Sequence, residues 1–516
     1  MKKGIFKFKV LVISLIIAFC SVCFAPLFSV VAENTEVVNN FNSRSSVYYS
    51  DINGKTVGVD MFYRDSGEAL NNPNVAQAIM IKQATDYKIK YPEKDVTVTC
   101  TSFHVSVVAS VCLDRESKEF GRMKSLYDCE YDDNGYYRIS YLLVEAAKYG
   151  VNVIVIGQID ASGVLQEEGT KPDYDFIQYF ESHLNDPCYD GVSAVKDFMV
   201  AKKAYWTSYG DKEAYDMMHL KTCTVTNYID ANGNECGPAV WTGCINLDGI
   251  NMYGSNGNDG IQTAIVITEH EEIRRVTYNF TKLLAEYCEQ EHVNYFRNIV
   301  KETNKKQISL ILEGKESEIA KDEQIVYMGS ENDKVFEVYF TPTGGATENW
   351  NVKLNPLCKY ISKLLPSVSG EDYVELFWNN VKFVSNFPLA KTLEDVIQYS
   401  FTENSRLNNR LYLHLEGIDT LKFEGLKVGE NIGFCSVNKY VSKRWPHSKD
   451  LQLSYKEKGV RYYVNIINSL NFHSGSMFGQ TNSYFVIKES QETGNKFYCD
   501  YGKLTVPDAD FESIRI

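Results

Sequence analysis

Two His-x-Lys triplets in this sequence each bring together an imidazole and an ammonium group. His219 stands two residues before Lys221, and His447 stands two residues before Lys449, 228 residues further along the chain. Residues i and i+2 of a strand point to the same face of a sheet, so each triplet is expected to project both side chains together. An imidazole can attack phosphorus or transfer a proton, and an ammonium group can stabilise charge on phosphate oxygens.

An asparagine follows each triplet at a similar distance. Asn246 lies 25 residues after Lys221, and Asn471 lies 22 residues after Lys449. An asparagine at the end of a neighbouring strand can place its amide on the same face as the triplet. Alone, each triplet arises easily by chance, and a single histidine or asparagine usually has a structural role. The paired occurrence favours the functional interpretation.

Two such sets around one cavity suit the cleavage of a phosphodiester. One histidine would attack phosphorus as the nucleophile, and the other would protonate the leaving oxygen. The lysines and asparagines would stabilise charge on the equatorial oxygens. This chemistry requires no metal, and no other cofactor is expected.

The motifs resemble those of the phospholipase D superfamily, whose members carry two H-x-K motifs followed by G-S-x-N-like elements. The resemblance extends over roughly residues 57–487. It implies two α/β/α sandwich lobes related by a pseudo-two-fold axis and sharing one active site. It also implies that His219 is the nucleophile, forming phosphohistidine, and that His447 is the general acid. The site residues carried over from the resemblance are His219, Lys221, Asn246, His447, Lys449 and Asn471.

The sequence also departs from the pattern of that family. Thr226 and Ser454 stand where an aspartate often follows the lysine, and Gln262 and Asn482 replace the acids that often orient the histidines. An amide can hold one imidazole tautomer, but it supports an imidazolium less well than a carboxylate does. A slow or specialised enzyme, or a binding protein of the same fold, is therefore an alternative.

Strands and helices alternate in both halves of the chain. Short apolar strands separated by helices with one apolar face predict an α/β fold with mixed, mostly parallel sheets. Because the order repeats, we expect two similar lobes. The predicted strands are 56–63, 95–103 and 151–157, then 334–341, 372–383 and 409–415, and the predicted helices are 74–91, 136–149, 355–365 and 388–400.

The beginning of the chain has the pattern of a secretory signal peptide. A lysine-containing stretch, an apolar run over 10–18 and small residues at 30–32 predict a cleaved signal over 1–32. An uncleaved membrane anchor is the alternative. Residues 33–46 are expected to form a flexible leader, 47–305 the first lobe and 306–516 the second. The prediction is a secreted, extracellular, bacterial protein.

Composition narrows the substrate class. The 516 residues are 44% hydrophobic and 23% charged, which excludes a disordered chain, and the net charge of −14 becomes −18 without the four lysines of residues 1–32. A net negative charge disfavours the binding of polyanionic substrates such as nucleic acids. Phospholipids, cleaved by water or transferred to an alcohol, with peripheral membrane contact, therefore rank first. A nuclease or another phosphodiesterase is the alternative.

The cysteines give no pairing. Eleven of the 13 follow residue 32, and none of them forms a C-x-x-C pair. Export permits disulfides, but these spacings alone do not indicate any, and buried thiols are an equally good interpretation.

Overall fold

The structure, a computed structural model, describes residues 45–52, 54–64, 73–102, 110–112, 136–157, 199–201, 218–247, 262–287, 293–331, 334–341, 359–360, 374–381, 411–417, 434–439, 449, 451–469, 480–490 and 512–514. These residues all belong to one compact unit, Phe41–Ile516. The predicted signal peptide, the predicted helix 388–400 and nearly all of the helix 355–365 lie outside them. The proposed lobe boundary stays a prediction.

The secondary structure consists of many strands and four described α-helices. The helices are α1 (Pro73–Lys90), α2 (Ile139–Lys148), α3 (Glu271–Tyr287) and α4 (Val293–Leu312), followed by a short 3-10 turn, Glu316–Glu318. The strands are β1 (Ser45–Ile52), β2 (Lys55–Arg64), β3 (Thr97–Ser102), β4 (Ser110–Cys112), β5 (Tyr136–Arg138), β6 (Asn152–Gly157), β7 (Met199–Ala201), β8 (Thr222–Val225), β9 (Tyr228–Ile229), β10 (Glu235–Cys236), β11 (Ala239–Gly243), β12 (Gln262–Thr268), β13 (Tyr327–Glu331), β14 (Lys334–Phe340), β15 (Val374–Val381), β16 (Leu411–Gly417), β17 (Phe434–Lys439), β18 (Leu451–Glu457), β19 (Val460–Asn468), β20 (Ser483–Ser490) and β21 (Glu512–Ile514).

Two large sheets have the same strand order over eight positions, and the second sheet adds β21 at its end. The first runs β1-β2-β12-β11-β8-β3-β6-β7, and the second runs β13-β14-β20-β19-β18-β15-β16-β17-β21. Corresponding neighbours also agree in direction: β8 is antiparallel to β3 as β18 is to β15, and β3 is parallel to β6 as β15 is to β16. The predicted mixed α/β class is confirmed. A pseudo-two-fold axis between lobes stays a prediction.

The prediction of mostly parallel sheets is wrong, because most neighbouring pairs among the described strands are antiparallel. The parallel pairs among the described strands are β3–β6, β6–β7, β15–β16 and β16–β17. Parallel neighbours need a crossover connection, which α2 supplies between β3 and β6, whereas strands that return directly become antiparallel. The strand that follows each His-x-Lys triplet returns in this way: β8 pairs with β11, and β18 pairs with β19.

Periodicity located the central elements well. The predicted helix 74–91 corresponds to α1, and the predicted strands 95–103 and 151–157 correspond to β3 and β6. The predicted helix 136–149 begins late, since residues 136–138 form β5 and pair with β4. Gly150, which follows the C-cap Tyr149 of α2, has a φ of +86°, the left-handed conformation that glycine commonly adopts just after a helix.

The apolar core of the first sheet packs around α1, which is buried from Pro73 to Tyr87. Trp241 of β11 donates its indole N–H to the Pro73 carbonyl over 3.0 Å, which ties this strand to the start of the helix. The helix α3 contacts strands of both sheets, and its Phe280 stacks on Phe340 of β14 at 4.1 Å. This helix therefore helps to position the two sheets.

No helix in the described part of the chain is long and apolar enough to cross a membrane.

Candidate active site

The first His-x-Lys triplet lies directly beside the second sheet. Met218 forms an isolated parallel bridge with Thr481, and the His219 amide donates to the Thr481 carbonyl over 2.9 Å. Thr481 stands just before β20, whereas His219 stands just before β8. Two segments more than 260 residues apart in sequence therefore meet at this histidine.

The His219 ring contacts an amide of the second sheet. Its Nδ1 lies 3.1 Å from the side-chain oxygen of Asn482. Ser469 also donates its hydroxyl to this oxygen over 3.2 Å, and Ser469 Oγ itself accepts the Ser483 amide N–H. An amide oxygen can only accept, so this chain of hydrogen bonds places the His219 proton on Nδ1. The lone pair of the neutral ring is then on Nε2.

The electrostatics of the site keep this imidazole uncharged. Burial lowers the pKa of His219 well below its usual range, and the positive charges of Lys221 and Lys449 lower it further. The hydrogen bonds to Asn482 and to the Ser469 backbone raise it only in part. Both lysines of the two triplets therefore act on one imidazole, and a neutral imidazole is the form that can act as a nucleophile.

Both lysines are fully buried, and their backbones are held alike. The Lys221 carbonyl accepts the Thr242 hydroxyl over 3.2 Å, and the Lys449 carbonyl accepts the side-chain amide of Asn468. Lys221 Nζ donates to the carbonyl of His219 over 3.1 Å. Two buried lysines beside one histidine, inside a chain of net charge −14, are suited to an anionic ligand.

Asn246 lies at the same end of the first sheet as Lys221. The Gly243 amide contacts the Lys221 carbonyl at 3.4 Å, and the next segment is fixed where the Leu247 amide donates to Ser102 Oγ over 3.0 Å. The Asn246 side chain is buried, and its oxygen has no hydrogen-bond partner in the described part of the chain. Buried amides are normally paired, so this one is suited to a ligand.

The loops after β11 and β19 make matching hydrogen bonds. The Cys244 amide donates to the Thr263 carbonyl, and the Thr263 amide donates to Cys244 Sγ. Ser469 and Ser483 form the same pair of bonds, so that Cys244 corresponds to Ser469. Thr263 then corresponds to Ser483. Each of these two residues is preceded by one with a side-chain amide, Gln262 in the first sheet and Asn482 in the second.

Some predicted site residues cannot be located. His447 and Asn471 lie outside the described residues, and for Gln262 the structure gives the backbone pairing with Arg64 of β2. The five that it places with their side chains, His219, Lys221, Asn246, Lys449 and Asn482, come from both sheets. Within the described ranges, no three His, Cys, Asp or Glu side chains are grouped so as to hold a metal ion.

Sequence reasoning missed two participants in this site. Ser469 donates its hydroxyl to Asn482, a role that the sequence does not predict. Thr481, whose carbonyl holds the His219 backbone, has no sequence signal at all, because a backbone acceptor can belong to any residue type.

No family model matches the chain, and no curated protein matches it. Similar solved structures include the phosphatidylserine synthase of Haemophilus influenzae Rd KW20, at 11% identity and a TM-score of 0.46, with 87% of each chain covered. The polyphosphate kinase of Porphyromonas gingivalis is 10% identical with a TM-score of 0.42; the similarity covers 83% of this chain, which spans about half, 47%, of that enzyme.

A third similar structure is the phospholipase D family member Nuc from Salmonella typhimurium, at 12% identity and a TM-score of 0.21, which covers 44% of this chain and 92% of that one. At these identities and TM-scores, the function proposed below rests on the geometry of the site.

Proposed function

We propose that this protein is a phosphodiesterase that works through a covalent phosphohistidine on His219. The observation that supports it is that residues of the two sheets meet at one histidine. His219 lies 3.1 Å from Asn482 of the second sheet, and both Lys221 and Lys449 act on its charge state. A histidine held neutral, with its proton on Nδ1 and two ammonium groups acting on it, is suited to attack a phosphate ester.

In the first step, Nε2 of His219 forms a bond to phosphorus, and the bond from phosphorus to the leaving oxygen breaks. The leaving oxygen takes a proton from a general acid, a role that the sequence resemblance assigns to His447. In the second step, water or an alcohol attacks phosphorus and gives its proton to the group that acted as the general acid. The bond between phosphorus and His219 Nε2 then breaks. Lys221, Lys449 and Asn246 would stabilise the negative charge on the non-bridging oxygens.

Phospholipids are the substrate class that we place first. The chain has a net charge of −14, which weakens the binding of long polyanions. A secreted enzyme that meets a membrane surface fits both that charge and the signal-like beginning of the sequence. A nuclease, or a binding protein that has lost turnover, is the second candidate, because Gln262 and Asn482 replace the acids of the family pattern.

The test is a hydrolysis assay of the full chain with vesicles of phosphatidylcholine or phosphatidylglycerol and, separately, with single-stranded DNA. His219→Asn should lower the rate by about 10³-fold or more, because it removes the nucleophile. The matched control is His270→Asn, since His270 is also buried but caps α3, and asparagine can accept the same cap hydrogen bond.

Product release that is equal in the wild type and in His219→Asn would exclude the enzyme proposal. Cleavage of DNA alone would exclude the lipid assignment and keep the mechanism. Trapping of ³²P on the wild-type chain, but not on His219→Asn, would identify the covalent intermediate directly.

A further inference from the structure

Two cysteines of the first sheet face each other across neighbouring strands. Cys100 in β3 and Cys223 in β8 are register partners, and their sulfur atoms lie 3.4 Å apart. Both side chains are fully buried, and both are thiols in this structure. They are separated by 123 residues, a spacing from which no pairing could be predicted.

The register puts this pair at a position where a disulfide fits. The Thr226 amide donates to the Thr97 carbonyl over 3.2 Å, so that these two residues form a hydrogen-bonded pair. Hydrogen-bonded and non-hydrogen-bonded pairs alternate along antiparallel strands, which makes Cys100 and Cys223 a non-hydrogen-bonded pair. Cα atoms of such pairs are about 4.5 Å apart, within the roughly 4.4–6.8 Å span of natural disulfides.

The neighbouring pairs hold the two strands in this register. The hydroxyls of Thr99 and Thr224 are 2.6 Å apart, and those of Thr101 and Thr222 are 2.9 Å apart. These side-chain bonds lie on both sides of the cysteine pair. Folding of β3 against β8 therefore brings the two thiols together each time.

We propose that Cys100 and Cys223 form a cross-strand disulfide when the chain folds in the presence of a small-molecule disulfide such as oxidised glutathione. One cysteine thiolate attacks the glutathione disulfide and releases one glutathione thiol. The second cysteine thiolate then attacks the mixed disulfide and releases the other. Two protein thiols are oxidised, one glutathione disulfide is reduced, and the two protons go to the released thiols.

The bond would join the strand that leads out of the candidate site to the centre of the sheet. The strand β8 begins directly after Lys221, and β3 ends at Ser102, which holds the backbone after Asn246. Because a disulfide across a long loop restricts the unfolded chain, it should stabilise the fold. The export that we propose from the sequence would deliver the chain to a compartment where such bonds persist.

The timing of oxidation also follows from burial. Burial raises the pKa of the Cys223 thiol, and the neighbouring Cys100 raises it further. Only a thiolate attacks a disulfide, so the folded chain should react slowly. The bond should form while the strands assemble, before the core closes.

The experiment is cell-free synthesis of the full chain in two buffers, one with reduced glutathione alone and one with a reduced and oxidised glutathione mixture. The soluble chain is denatured, alkylated, digested and mapped by mass spectrometry. We expect a peptide that links Cys100 to Cys223 in the oxidised preparation alone. We also expect the thermal midpoint of that preparation to be higher by roughly 5 °C.

The variants Cys100→Ala and Cys223→Ala should lose the linked peptide and the shift in midpoint. The matched control Cys236→Ala, at a half-buried cysteine near the β9–β10 turn, should keep both. If an alanine variant at position 100 or 223 is insoluble, the wild-type peptide map decides. Recovery of both cysteines as alkylated thiols from the soluble oxidised chain, or linkage of either to another cysteine, overturns the proposal.

Discussion

Asn482 presents its side-chain oxygen to the ring of His219, at a position where proteins with the motifs that this sequence resembles often have a carboxylate. The difference matters for proton affinity, because a carboxylate stabilises an imidazolium and an amide does not. In this chain, burial and two lysines already lower the pKa of His219. The amide adds tautomer control without opposing that effect by a negative charge.

Asn482→Asp should move the pH dependence of the reaction. Attack by His219 needs the neutral ring, so activity is present above the pKa of His219 and is lost as the pH falls through it. The wild-type pKa lies well below 6.5, which puts the acid limb of the profile below that value as well. A carboxylate at this position should raise that limb by about one pH unit or more.

The measurement is kcat/KM for the preferred substrate between pH 4 and 9. Asn232→Asp, the same charge change at an exposed turn residue, is the control and should leave the profile unchanged. Profiles of Asn482→Asp and the wild type that coincide would show that Asn482 does not set the protonation of His219.

At the scale of elements, Gly243 allows β11 to approach β12. A Cβ atom at this position would lie 2.7 Å from the Ala264 Cβ atom and 2.7 Å from the Thr263 carbonyl oxygen. Gly243→Ala should therefore displace the segment that leads to Asn246. We expect a loss of about 1–3 kcal/mol in the free energy of unfolding, together with reduced kcat in the folded fraction.

The control for this variant is Gly237→Ala, whose added Cβ meets the Glu269 side chain, away from the site. It should cost stability but leave kcat of the folded protein unchanged. Thermal unfolding and active-site titration separate the two effects. Full activity of folded Gly243→Ala would contradict the role given to this close approach.

The helix α3 has a pH-sensitive cap. His270 Nδ1 accepts the Ile273 amide, and burial lowers the pKa of His270 from 6.5 to about 4. Since the unfolded chain takes up this proton first, stability is lost as the pH falls from about 6.5 towards 4. Between pH 7.5 and pH 5 the loss should be about 2 kcal/mol.

Urea unfolding of the wild type and of His270→Asn at both pH values tests this. Asparagine keeps the cap but does not titrate, so the variant should lose about 2 kcal/mol less on acidification. The contribution of His219 is common to both chains and cancels in the comparison. Equal losses would show that His270 is not kept neutral by the fold.

Elements whose structure depends on local contacts could be predicted from the sequence, whereas elements that depend on distant contacts could not. The helix α1 and the strands β3 and β6 follow from local periodicity. The strand β5 does not, because residues 136–138 continue a helical pattern and are drawn into a strand by pairing with β4. The predicted direction of the strand pairs is wrong for the same reason. It depends on which strands return beside each other, and a repeat of strands and helices does not specify that.

At the scale of the whole molecule, the repeat predicted that two segments contribute to one site, but not how they connect. The equivalence of Gln262 and Asn482 could be seen in the sequence. The contact of Asn482 with the histidine of the other half could not be predicted from the sequence, because it depends on the hydrogen bond between Thr481 and His219. The site is therefore a property of the contact between the two sheets.

A second contact between the sheets lies away from the site, and it allows that idea to be tested. Tyr49 of β1 donates its hydroxyl to the Glu489 side chain of β20 over 2.5 Å, and both residues are buried. The Tyr49 ring also meets Phe336 of β14 edge-on at 5.3 Å. Tyr49→Phe keeps the ring contact and removes one hydrogen bond to a buried acid, which should cost about 1–3 kcal/mol in the free energy of unfolding.

Because both sheets position the His219 site, the loss of stability between them should also lower catalytic activity. We expect the phosphohistidine yield of Tyr49→Phe to fall at temperatures below global unfolding, although no site residue has changed. Tyr91→Phe, at a half-buried tyrosine at the end of α1, is the control and should change the free energy of unfolding by less than about 0.5 kcal/mol. If Tyr49→Phe is destabilised but traps phosphate as fully as the wild type up to its unfolding temperature, the site does not depend on this contact, and the bonds around His219 and Asn482 alone hold the two segments together.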